Sequence, residues 1–412
     1  MIIPLALAGL TSVGTMSFFA NKEKKHTARM ESLDYNIHVN GIRGKSTITR
    51  MLGGVLRHAG VNTIVKTTGT YACVIASDAS EHPIQRKGPA NINEQYQFLE
   101  EWLTPETKGL VVECMAVKPK YQNMCQHQIL RSPLTVITNV RIDHQDEMGD
   151  TLEEIAVSLC NTIPQNGTVI TGERNPEIVK VMEREAEKYN ARIIVAPRTE
   201  LSVSLVDKFS YHQFEENVAV ALTVAEFLGL DIDAAITGMI SAEPDPGTVQ
   251  ITELKKDQGN SVYWANMLAI NDWESTTKVY RDLSEQKVGE DTRRVIALNN
   301  RKDRTDRAMM FVNLVAEDLA GEFDRIVLYG DLQDAVEKSL VDKGIDESLI
   351  QTTEEIEDED GRALLNCATE GFEDEDVAVF GMVNIHTAPV TSVRRHVSAL
   401  VEGQREYAAV GA

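Results

Sequence analysis

The sequence predicts an α/β protein with two domains in succession, each built on a largely parallel sheet. From Tyr35 onward, short apolar runs alternate with longer amphipathic stretches, which is the pattern of repeated βα units. The short runs are apolar at nearly every position, as in strands that helices cover on both faces. Residues 243–247, EPDPG, interrupt this pattern with two prolines and a glycine, so we place a domain boundary there.

The units on either side of this boundary define the predicted elements. Strands of the first series are predicted at Tyr35–Val39, Thr63–Lys66, Leu110–Glu113, Leu134–Asn139, Thr168–Thr171 and Arg192–Val195. Its helices are predicted at Ser46–Ala59, Ile92–Leu103, Thr151–Thr162, Asn217–Leu228 and Ala234–Ile240. Strands of the second series are predicted at Val249–Leu254, Val262–Asn266, Val295–Asn299, Arg325–Tyr329 and Val377–Gly381. The resulting segments are an apolar segment (1–20), a basic linker (21–34), a first α/β domain (35–246) and a smaller α/β domain (247–412).

The composition excludes some classes of function. The 412 residues include 63 Asp and Glu against 41 Lys and Arg, a formal net charge of −22. Proteins that bind nucleic acid through its phosphates need a basic face, so we expect no nucleic-acid partner. The five cysteines are odd in number and show no CxxC spacing, which argues against a disulfide framework or a zinc ribbon.

The N-terminal segment has the length of a membrane anchor. Residues 1–20 contain no charged side chain, and about 20 helical residues span about 30 Å, the thickness of a bilayer core. Basic residues follow the apolar run, at Lys22, Lys24 and Lys25, which predicts that the main body of the protein is cytoplasmic and attached to the membrane. The alternative is an apolar leader that packs on the protein itself or on a partner subunit.

The most specific motif is a glycine-rich loop between the first predicted strand and the first predicted helix. It has the compact pattern G-x-x-G-K-S. In such loops the backbone N–H groups and the helix N-terminus face phosphate oxygens, the lysine neutralises the β- and γ-phosphates, and the serine binds Mg²⁺. The predicted nucleotide-binding residues are Asn40, Gly41, Ile42, Arg43, Gly44, Lys45, Ser46 and Thr47.

Polar residues follow three further predicted strands. Ligands of open α/β sheets bind at the carboxyl ends of the strands, so we assign Glu113 to a metal ion. His144 follows the next strand and is either a Mg²⁺ ligand or a hydrogen-bonding loop histidine. Thr68 ends another strand, where hydroxyls and a glycine suit a phosphate or an acidic substrate.

These motifs together resemble the Mur-ligase superfamily of ATP-dependent amide ligases. The stretches that carry the resemblance are GIRGKST (41–47), VVE (111–113), TNVRIDH (138–144), TLEEIA (151–156) and ENVAVALTVA (216–225). Other stretches look more specifically like the ligase subunits of poly-γ-glutamate synthases, which act in capsule or exopolymer synthesis. These are KTTGTYA (66–72), ECMAVKPKYQ (113–122), PDPG (244–247), AIND (269–272), RKDRTDR (301–307) and VNIHTA (383–388). The resemblance implies an ATP-binding domain of Mur-ligase type followed by a C-terminal ligase domain.

The resemblance also implies the chemistry. A glutamate or poly-γ-glutamate carboxylate attacks the γ-phosphate of ATP, and an incoming amine then displaces phosphate from the acyl-phosphate. Lys45 would hold the β- and γ-phosphates. Ser46 and Glu113 would hold Mg²⁺, and His144 would hold a second ion or contact the acyl-phosphate. Lys45, Glu113, His144 and Arg304 are the predicted catalytic residues.

The second domain supplies most of the remaining candidates. The family pattern places a nucleotide contact on Asn271 and Asp272. The basic run at 301–307 is either a carboxylate-recognition site, for which arginine forks are suited, or a surface salt-bridged to Asp303 and Asp306. His386 has either a site role or a structural one. The predicted substrate-binding residues are Thr68, Arg86, Lys87, Arg301, Arg304, Arg307 and His386, with Lys302 in the same cluster.

Two positions depart from the family pattern. The stretch Val157–Cys160 lacks the lysine that the resemblance implies after the TLEEIA start, so a carbamate-held second metal is not expected. Gln250 stands near the place of an arginine that would contact the phosphates.

Two alternatives stay open. One is a ligase like folylpolyglutamate synthetase, and the other is an ATPase that drives a membrane assembly without ligase chemistry. The expected partners are glutamate, the poly-γ-glutamate chain and small membrane subunits of a synthase and export complex. Self-association as a homo-oligomer is also left open.

Overall fold

The computed structural model describes residues 20–69, 72–86, 88, 91–245, 248–255, 260–270, 272–286, 288–289, 291–353, 362–385 and 387–410. The chain divides into two compact units. The first contains the chain up to Phe209 together with Gln213–Asp245. The second contains Ser210–His212 and the remainder of the chain.

The first unit is built on an eight-stranded sheet. Its strands are β1 (Tyr35–Asn40), β2 (Thr63–Thr67), β3 (Cys73–Ile75), β4 (Glu81–Pro83), β5 (Gly109–Glu113), β6 (Leu134–Ile137), β7 (Thr168–Thr171) and β8 (Arg192–Val195). Their spatial order is β4-β3-β2-β5-β1-β6-β7-β8. The strands β2, β5, β1, β6, β7 and β8 run parallel, whereas β3 and β4 extend one edge antiparallel. All six predicted strands of this unit are confirmed.

The helices connect these strands. The first, α1, covers residues 20–31. The others in this unit are α2 (Lys45–His58), α3 (Asn93–Trp102), α4 (Pro119–Met124), α5 (Gln145–Met148), α6 (Leu152–Leu159), α7 (Pro176–Glu187), α8 (Glu200–Leu205), α9 (Glu215–Phe227) and α10 (Ile232–Ile240). The TLEEIA stretch opens α6 with a capping box, in which Thr151 Oγ1 accepts from the Glu154 N–H and the Glu154 carboxylate accepts from the Thr151 N–H.

The strand order changes direction at β1, and this places the phosphate loop. β1 lies between β5 and β6, with Val39 opposite both Glu113 and Val136. In open α/β sheets, ligands bind at the carboxyl ends of the strands beside such a switch point. The loop after β1 therefore lies at the edge where α/β proteins bind nucleotides.

One face of β1 is polar, which differs from the apolar strand that the sequence predicts. Asn36, His38 and Asn40 alternate along this face and are all buried. A helical segment over 119–130 covers them. Its glutamines accept hydrogen bonds from Asn40 Nδ2 at 2.8 Å (Gln122 Oε1) and pair with His38 Nδ1 at 2.9 Å (Gln126 Oε1). Apolar clusters flank this polar seam on both sides.

The segment at 21–34, expected as a basic linker, is instead helical over 20–31 and packs on the first unit. Its His26 Nε2 lies 2.7 Å from the carbonyl of Ile129, and Arg29 donates to the carbonyl of Leu99 at 3.0 Å. Met30 is buried in an apolar cluster with Leu99. The linker prediction is therefore wrong, because one side of this charged segment carries residues that fit the core.

The predicted membrane anchor at 1–20 lies outside the described residues except for Ala20, which is part of α1. Within the ranges that the structure describes, no helix has both the length and the apolar composition needed to cross a bilayer.

The second unit contains a six-stranded sheet. Its strands are β9 (Ile251–Lys255), β10 (Ser261–Asn266), β11 (Arg293–Asn300), β12 (Arg325–Gly330), β13 (Ile350–Thr352) and β14 (Val377–Val383), in the order β13-β12-β11-β14-β10-β9. Only β9 is antiparallel to its neighbour. The helices are α11 (Trp273–Gln286), α12 (Thr305–Glu317), α13 (Gln333–Asp342), α14 (Arg362–Thr369) and α15 (Ala388–Val410). The five predicted strands are confirmed, and three-residue β3, β4 and β13 were not predicted because so short a run has no measurable period.

The helix that follows the phosphate loop is fixed by a close contact with α10. A Cβ added at Gly54 would lie 2.1 Å from the carbonyl oxygen of Gly238, and a Cβ at Gly238 would lie 2.4 Å from the carbonyl oxygen of Gly54. Neither helix can carry a side chain at this crossing. The two glycines therefore set how closely α2 and α10 approach.

We expect Gly54→Ala to destabilise the protein by about 1–3 kcal/mol, because the added methyl group overpacks a backbone contact that cannot yield. Denaturant unfolding measures the change. Gly88→Ala is the control, since no atom of the described part of the chain lies within 4 Å of its added Cβ. An unfolding midpoint equal to that of the control would contradict this role of the crossing.

Candidate active site

The phosphate loop is fixed by residues that follow β6. Asn139 accepts from Arg43 N–H through Oδ1 at 3.0 Å and donates to the Arg43 carbonyl through Nδ2 at 3.1 Å. Thr138 Oγ1 donates to the same carbonyl at 2.6 Å. Gly41 adopts a φ of 125°, and a Cβ there would lie 2.1 Å from Thr138 Oγ1. The protein's own side chains therefore fix the shape of the loop.

The loop ends at the first turn of α2, one residue earlier than predicted. Gly44 has a φ of 79° and immediately precedes the helix, which begins at Lys45. A Cβ at Gly44 would lie 2.7 Å from Asn217 Oδ1 of α9. The first N–H groups of a helix have no partner within it, so this turn presents donors to an anion.

The Lys45 ammonium group lies on the loop itself. Its Nζ donates to the carbonyl oxygens of Gly41 at 2.9 Å and Ile42 at 3.0 Å. Burial lowers the pKa of Lys45, and the nearby Glu113 carboxylate acts in the opposite direction. A phosphate at the loop would restore the charge balance around this buried cation.

A buried carboxylate joins the ends of two strands to the first turn of α2. Glu113 is 1% exposed, at the end of β5, and its Oε2 accepts from Ser46 Oγ at 2.9 Å and from the Thr68 N–H at 2.8 Å. Burial raises its pKa, while Lys45 and these two donors oppose that rise. A Cβ at Gly69 would lie 2.6 Å from Ser46 Oγ, so glycine is required next to the pair.

The Ser46 hydroxyl and the Glu113 carboxylate fit a divalent metal ion. Both are oxygen donors, and Mg²⁺ in nucleotide enzymes is held by one or two such groups together with water and substrate phosphates. In the described ranges, no group of three or more His, Cys, Asp or Glu side chains could hold a metal ion alone. The site therefore suits a metal that arrives with a nucleotide.

In the structure, His144, the third predicted metal ligand, has its closest contact with the neighbouring Asp143. It is the residue before α5, with a φ of 50°, and its side chain is 52% exposed. Its N–H donates to Asp143 Oδ1 at 2.8 Å, and the other oxygen of Asp143 pairs with Arg43 Nη2 at 3.1 Å. The structure thus ties the His144 loop to the phosphate loop through Asp143, while its metal role stays a prediction.

Asn40 is also placed differently from its predicted contact with nucleotide. Its side chain is buried in the polar seam below the loop, where Nδ2 donates to Gln122 and lies 3.3 Å from Thr162 Oγ1. Only its backbone takes part in the loop region, because its carbonyl accepts from the Thr138 N–H at 2.9 Å.

Arg86 pairs with a carboxylate that sequence reasoning missed. Glu94 of α3 accepts from Arg86 at 2.7 and 3.1 Å, and from Lys66 Nζ at 2.9 Å. Lys66 is fully buried, and burial lowers its pKa against the effect of Glu94. Glu94 thereby connects β2 to the segment that carries Arg86. Lys87, the neighbouring candidate, lies outside the described residues.

The site residues predicted in the second unit each bond to a different partner. Asp272 Oδ1 accepts from the Ser275 N–H at 2.8 Å and so begins α11. Arg301 forks onto Asp303 at 2.9 and 2.7 Å, as the salt-bridge alternative expects, whereas Arg307 Nη1 donates to Asn384 at 3.2 Å. Asn271 and His386 lie outside the described residues.

Arg304 is the arginine of the cluster that stands at the start of α12. Its backbone N–H donates to the Arg301 carbonyl at 3.2 Å, and its charge contributes, after that of Arg301, to lowering the pKa of Asp303. Lys302 Nζ lies 3.6 Å from Asp331.

Comparisons with known proteins agree with this geometry. Residues 39–243 match the model of the Mur ligase middle domain, and residues 251–398 match that of the poly-gamma-glutamate synthase CapB C-terminal domain. The chain is 36% identical over 325 residues to the capsule biosynthesis protein CapB of Bacillus anthracis, covering 78% of this chain and 69% of the relative. It is 36% identical over 321 residues to the PGA synthase CapB of Bacillus subtilis strain 168, covering 77% and 80%.

A solved structure shares the fold. The bifunctional folylpolyglutamate synthase/dihydrofolate synthase of Yersinia pestis, complexed with AMPPNP and a Mn ion, matches with a TM-score of 0.61 at 14% identity. The match covers 91% of this chain and 92% of that one.

Fold, phosphate loop and domain matches define an ATP-dependent amide ligase of Mur-ligase type. Within that class, the chain belongs to the CapB family of poly-γ-glutamate synthases. The resemblance noted from the motifs is confirmed.

We expect Glu113→Gln to weaken metal-dependent nucleotide binding about tenfold or more, since a contact to a charged group contributes about 1.5–3 kcal/mol. In the unchanged protein, the raised pKa means that Glu113 takes up its proton above the ordinary value of 4.5. Binding should therefore weaken as the pH falls, and this loss should begin at a higher pH than for an ordinary glutamate side chain.

Isothermal titration with a non-hydrolysable ATP analogue, over a range of pH with and without Mg²⁺, measures this. The exposed Glu183→Gln is the control and should keep the profile of the unchanged protein. A Glu113→Gln chain with full metal-dependent affinity would remove Glu113 from the metal site.

Proposed function

We propose that this chain extends poly-γ-glutamate, using ATP and Mg²⁺ to join a glutamate amine to a glutamyl carboxylate. The observation that carries the proposal is the 36% identity to two CapB proteins over more than three quarters of the chain. The name of one of these relatives assigns it to PGA synthesis and that of the other to capsule biosynthesis. The hydroxyl and carboxylate pair of Ser46 and Glu113 supplies oxygen donors of the kind that Mg²⁺ prefers.

The reaction has two steps. A carboxylate oxygen of the growing chain attacks the γ-phosphorus of ATP, the bond to the β-phosphate oxygen breaks, and ADP leaves. The amine of the next glutamate then attacks the acyl-phosphate carbonyl, forms the amide, loses a proton and releases phosphate. In this kind of phosphoryl transfer the protein contributes chiefly positioning and charge stabilisation.

The residues of the first unit divide these tasks. Lys45 turns from the loop carbonyls to the β- and γ-phosphates, which its flexible stem allows. Glu113 holds Ser46 and the Thr68 backbone at the place where the transferred phosphate arrives. A bound Mg²⁺ would neutralise phosphate charge there.

Partner and location are part of the proposal. We propose that small membrane subunits receive the growing chain, with the catalytic body on the cytoplasmic side. The support is the uncharged segment at 1–20 with its basic flank. A homo-oligomer is compatible with this arrangement.

The test is to supply ATP and Mg²⁺ with each enantiomer of glutamate, with and without membranes that carry the partner subunits. ADP release should depend on glutamate, and product masses should rise in steps of one glutamyl unit, with long chains only when membranes are present. ADP release that ignores glutamate would favour an ATPase that drives assembly. Ligation of glutamate to a pterin substrate would favour a folate-type ligase.

We expect Arg304→Ala to raise the KM for glutamate or acceptor chain about 10- to 100-fold, with little change in the KM for ATP. A charge-assisted contact between arginine and carboxylate contributes about 1.5–3 kcal/mol, and each ~1.4 kcal/mol is tenfold. Arg301→Ala is the matched control, because that side chain is already forked onto Asp303. Equal effects of both variants, or a change confined to ATP, would move the cluster away from carboxylate recognition.

A further inference from the structure

A cavity separate from the phosphate loop lies in the first unit, at the end of α2 that is remote from that loop. Its volume is about 650 Å³, within the range of small-molecule sites. The last turns of α2, the β3–β4 turn and the residues after α10 form its walls. Ser46 and Arg57 are eleven residues apart on α2, about 16 Å along the helix axis, so a ligand here does not reach the reacting phosphate.

Two arginines on one face of α2 line this cavity, and they differ in their contacts. Arg50 is 2% exposed, and its two terminal nitrogens donate to both oxygens of Glu81, to Cys73 Sγ at 3.3 Å and to the carbonyl of Glu243 at 3.2 Å, while its Nε lies 3.9 Å from Asp245 Oδ2. Arg57 follows seven residues later, two helical turns on. Its Nη1 is buried with no hydrogen-bond partner in the part of the chain that the structure describes.

The Arg57 guanidinium is thus an incompletely satisfied cation. It lies close to the α2 backbone, with Nη1 3.4 Å from a Cβ built at Gly53. Burial lowers its pKa, Arg50 lowers it further, and Asp78 and Glu81 oppose the change. A buried donor without an acceptor is costly, so an anion that supplies acceptors to this guanidinium would be stabilised.

The cavity also carries exposed carboxylates. Asp78 stands in the β3–β4 turn, where its Oδ1 accepts from the N–H and hydroxyl of Ser80 at 2.9 and 2.6 Å. Glu243, after α10, is exposed as well. A nucleotide or a polyglutamate chain would bring several negative charges against these groups. A ligand with one carboxylate and one ammonium group would pair with Arg57 through its carboxylate and with Asp78 and Glu243 through its ammonium group.

We propose that this cavity is a second ligand site that binds a free α-amino acid, with its carboxylate on Arg57 and its ammonium group facing Asp78 and Glu243. The choice of glutamate as that amino acid rests on the proposed function, whereas the binding of the zwitterion does not. Arg50 lies on α2 one turn after Ser46 and is bonded to Glu81 in the cavity wall. A ligand in the cavity therefore contacts the same helix that begins at the phosphate loop.

Equilibrium dialysis of the full chain with labelled glutamate, without ATP, tests this. Arg57→Gln should bind one glutamate fewer per chain than the unchanged protein, or bind it at least tenfold more weakly. Arg57→Lys should retain part of the affinity, and Arg184→Gln, on the exposed side of α7, should bind normally. Arg304→Ala should keep the site that Arg57→Gln loses, which separates it from the reaction centre.

A second arm tests the ammonium contact. Asp78→Asn keeps the acceptor oxygen for Ser80 and removes only the charge, so it should fold normally and bind glutamate several-fold more weakly. N-acetylglutamate, which lacks the ammonium group, should compete poorly. Unchanged binding by both Arg57→Gln and Asp78→Asn, or equal competition by N-acetylglutamate, would overturn the proposal.

The two proposals can fail separately. Glutamate binding that depends on Arg57 in a chain that never ligates glutamate would keep this site and reject the ligase assignment. Normal ligation by a chain whose glutamate binding ignores Arg57 would do the reverse.

Discussion

The candidate active site depends on one buried carboxylate, that of Glu113. It ends β5, lies opposite the last apolar residue of β1, and takes hydrogen bonds from the first turn of α2 and from the backbone after β2. An uncompensated charge at this depth would be strongly unfavourable, so the nearby Lys45 and the two donors are needed to keep it there. The groups that stabilise this carboxylate are the same groups that a metal ion and a phosphate would use. Stability and binding are therefore properties of one arrangement.

The polar seam on β1 explains how the phosphate loop keeps its position. A loop that must offer backbone N–H groups to a ligand cannot also be held by many of them. The chain instead fixes the strand beneath the loop, through the Asn40 amide and the His38 imidazole, which are bonded to glutamines of the 119–130 segment. Asn139 then fixes the loop from the neighbouring strand. The seam is not fully satisfied, because Asn36 Oδ1 is buried without a hydrogen-bond partner among the described residues, so it positions the strand at a cost in stability.

Long helix α2 connects two regions of the first unit with different chemistry. Its first turn faces the phosphate loop, its middle crosses α10 at two glycines, and its last turn carries Arg57. Ser46, Arg50 and Arg57 are spaced so that they lie on one face of α2. The phosphate loop and the cavity at the far end of the helix are therefore on the same face of one helix. A ligand at either end contacts the helix that the other end also uses.

The sequence by itself determined the βα order, the strand positions, the position of the phosphate loop and a carboxylate at the end of the neighbouring strand. These follow from local signals: nearly continuous apolar runs, a G-x-x-G-K-S loop between a strand and a helix, and a carboxylate at a strand end. The family motifs added the class of reaction. Short edge strands such as β3 have too few residues to show such a pattern. The polar side chains of β1 gave no indication that this face of the strand is buried.

Only the tertiary structure decided which partners these residues have. Asn40 was predicted to contact nucleotide, yet its amide is bonded to Gln122 across 82 positions of sequence. The charged segment before β1 was expected as a linker, yet it is helix α1 and packs on the unit. Glu94 belongs to none of the motifs found in the sequence, yet its carboxylate pairs with both Lys66 and Arg86. Local pattern fixes an element and its exposed or buried side, but a hydrogen-bond partner depends on which distant strands and helices become neighbours.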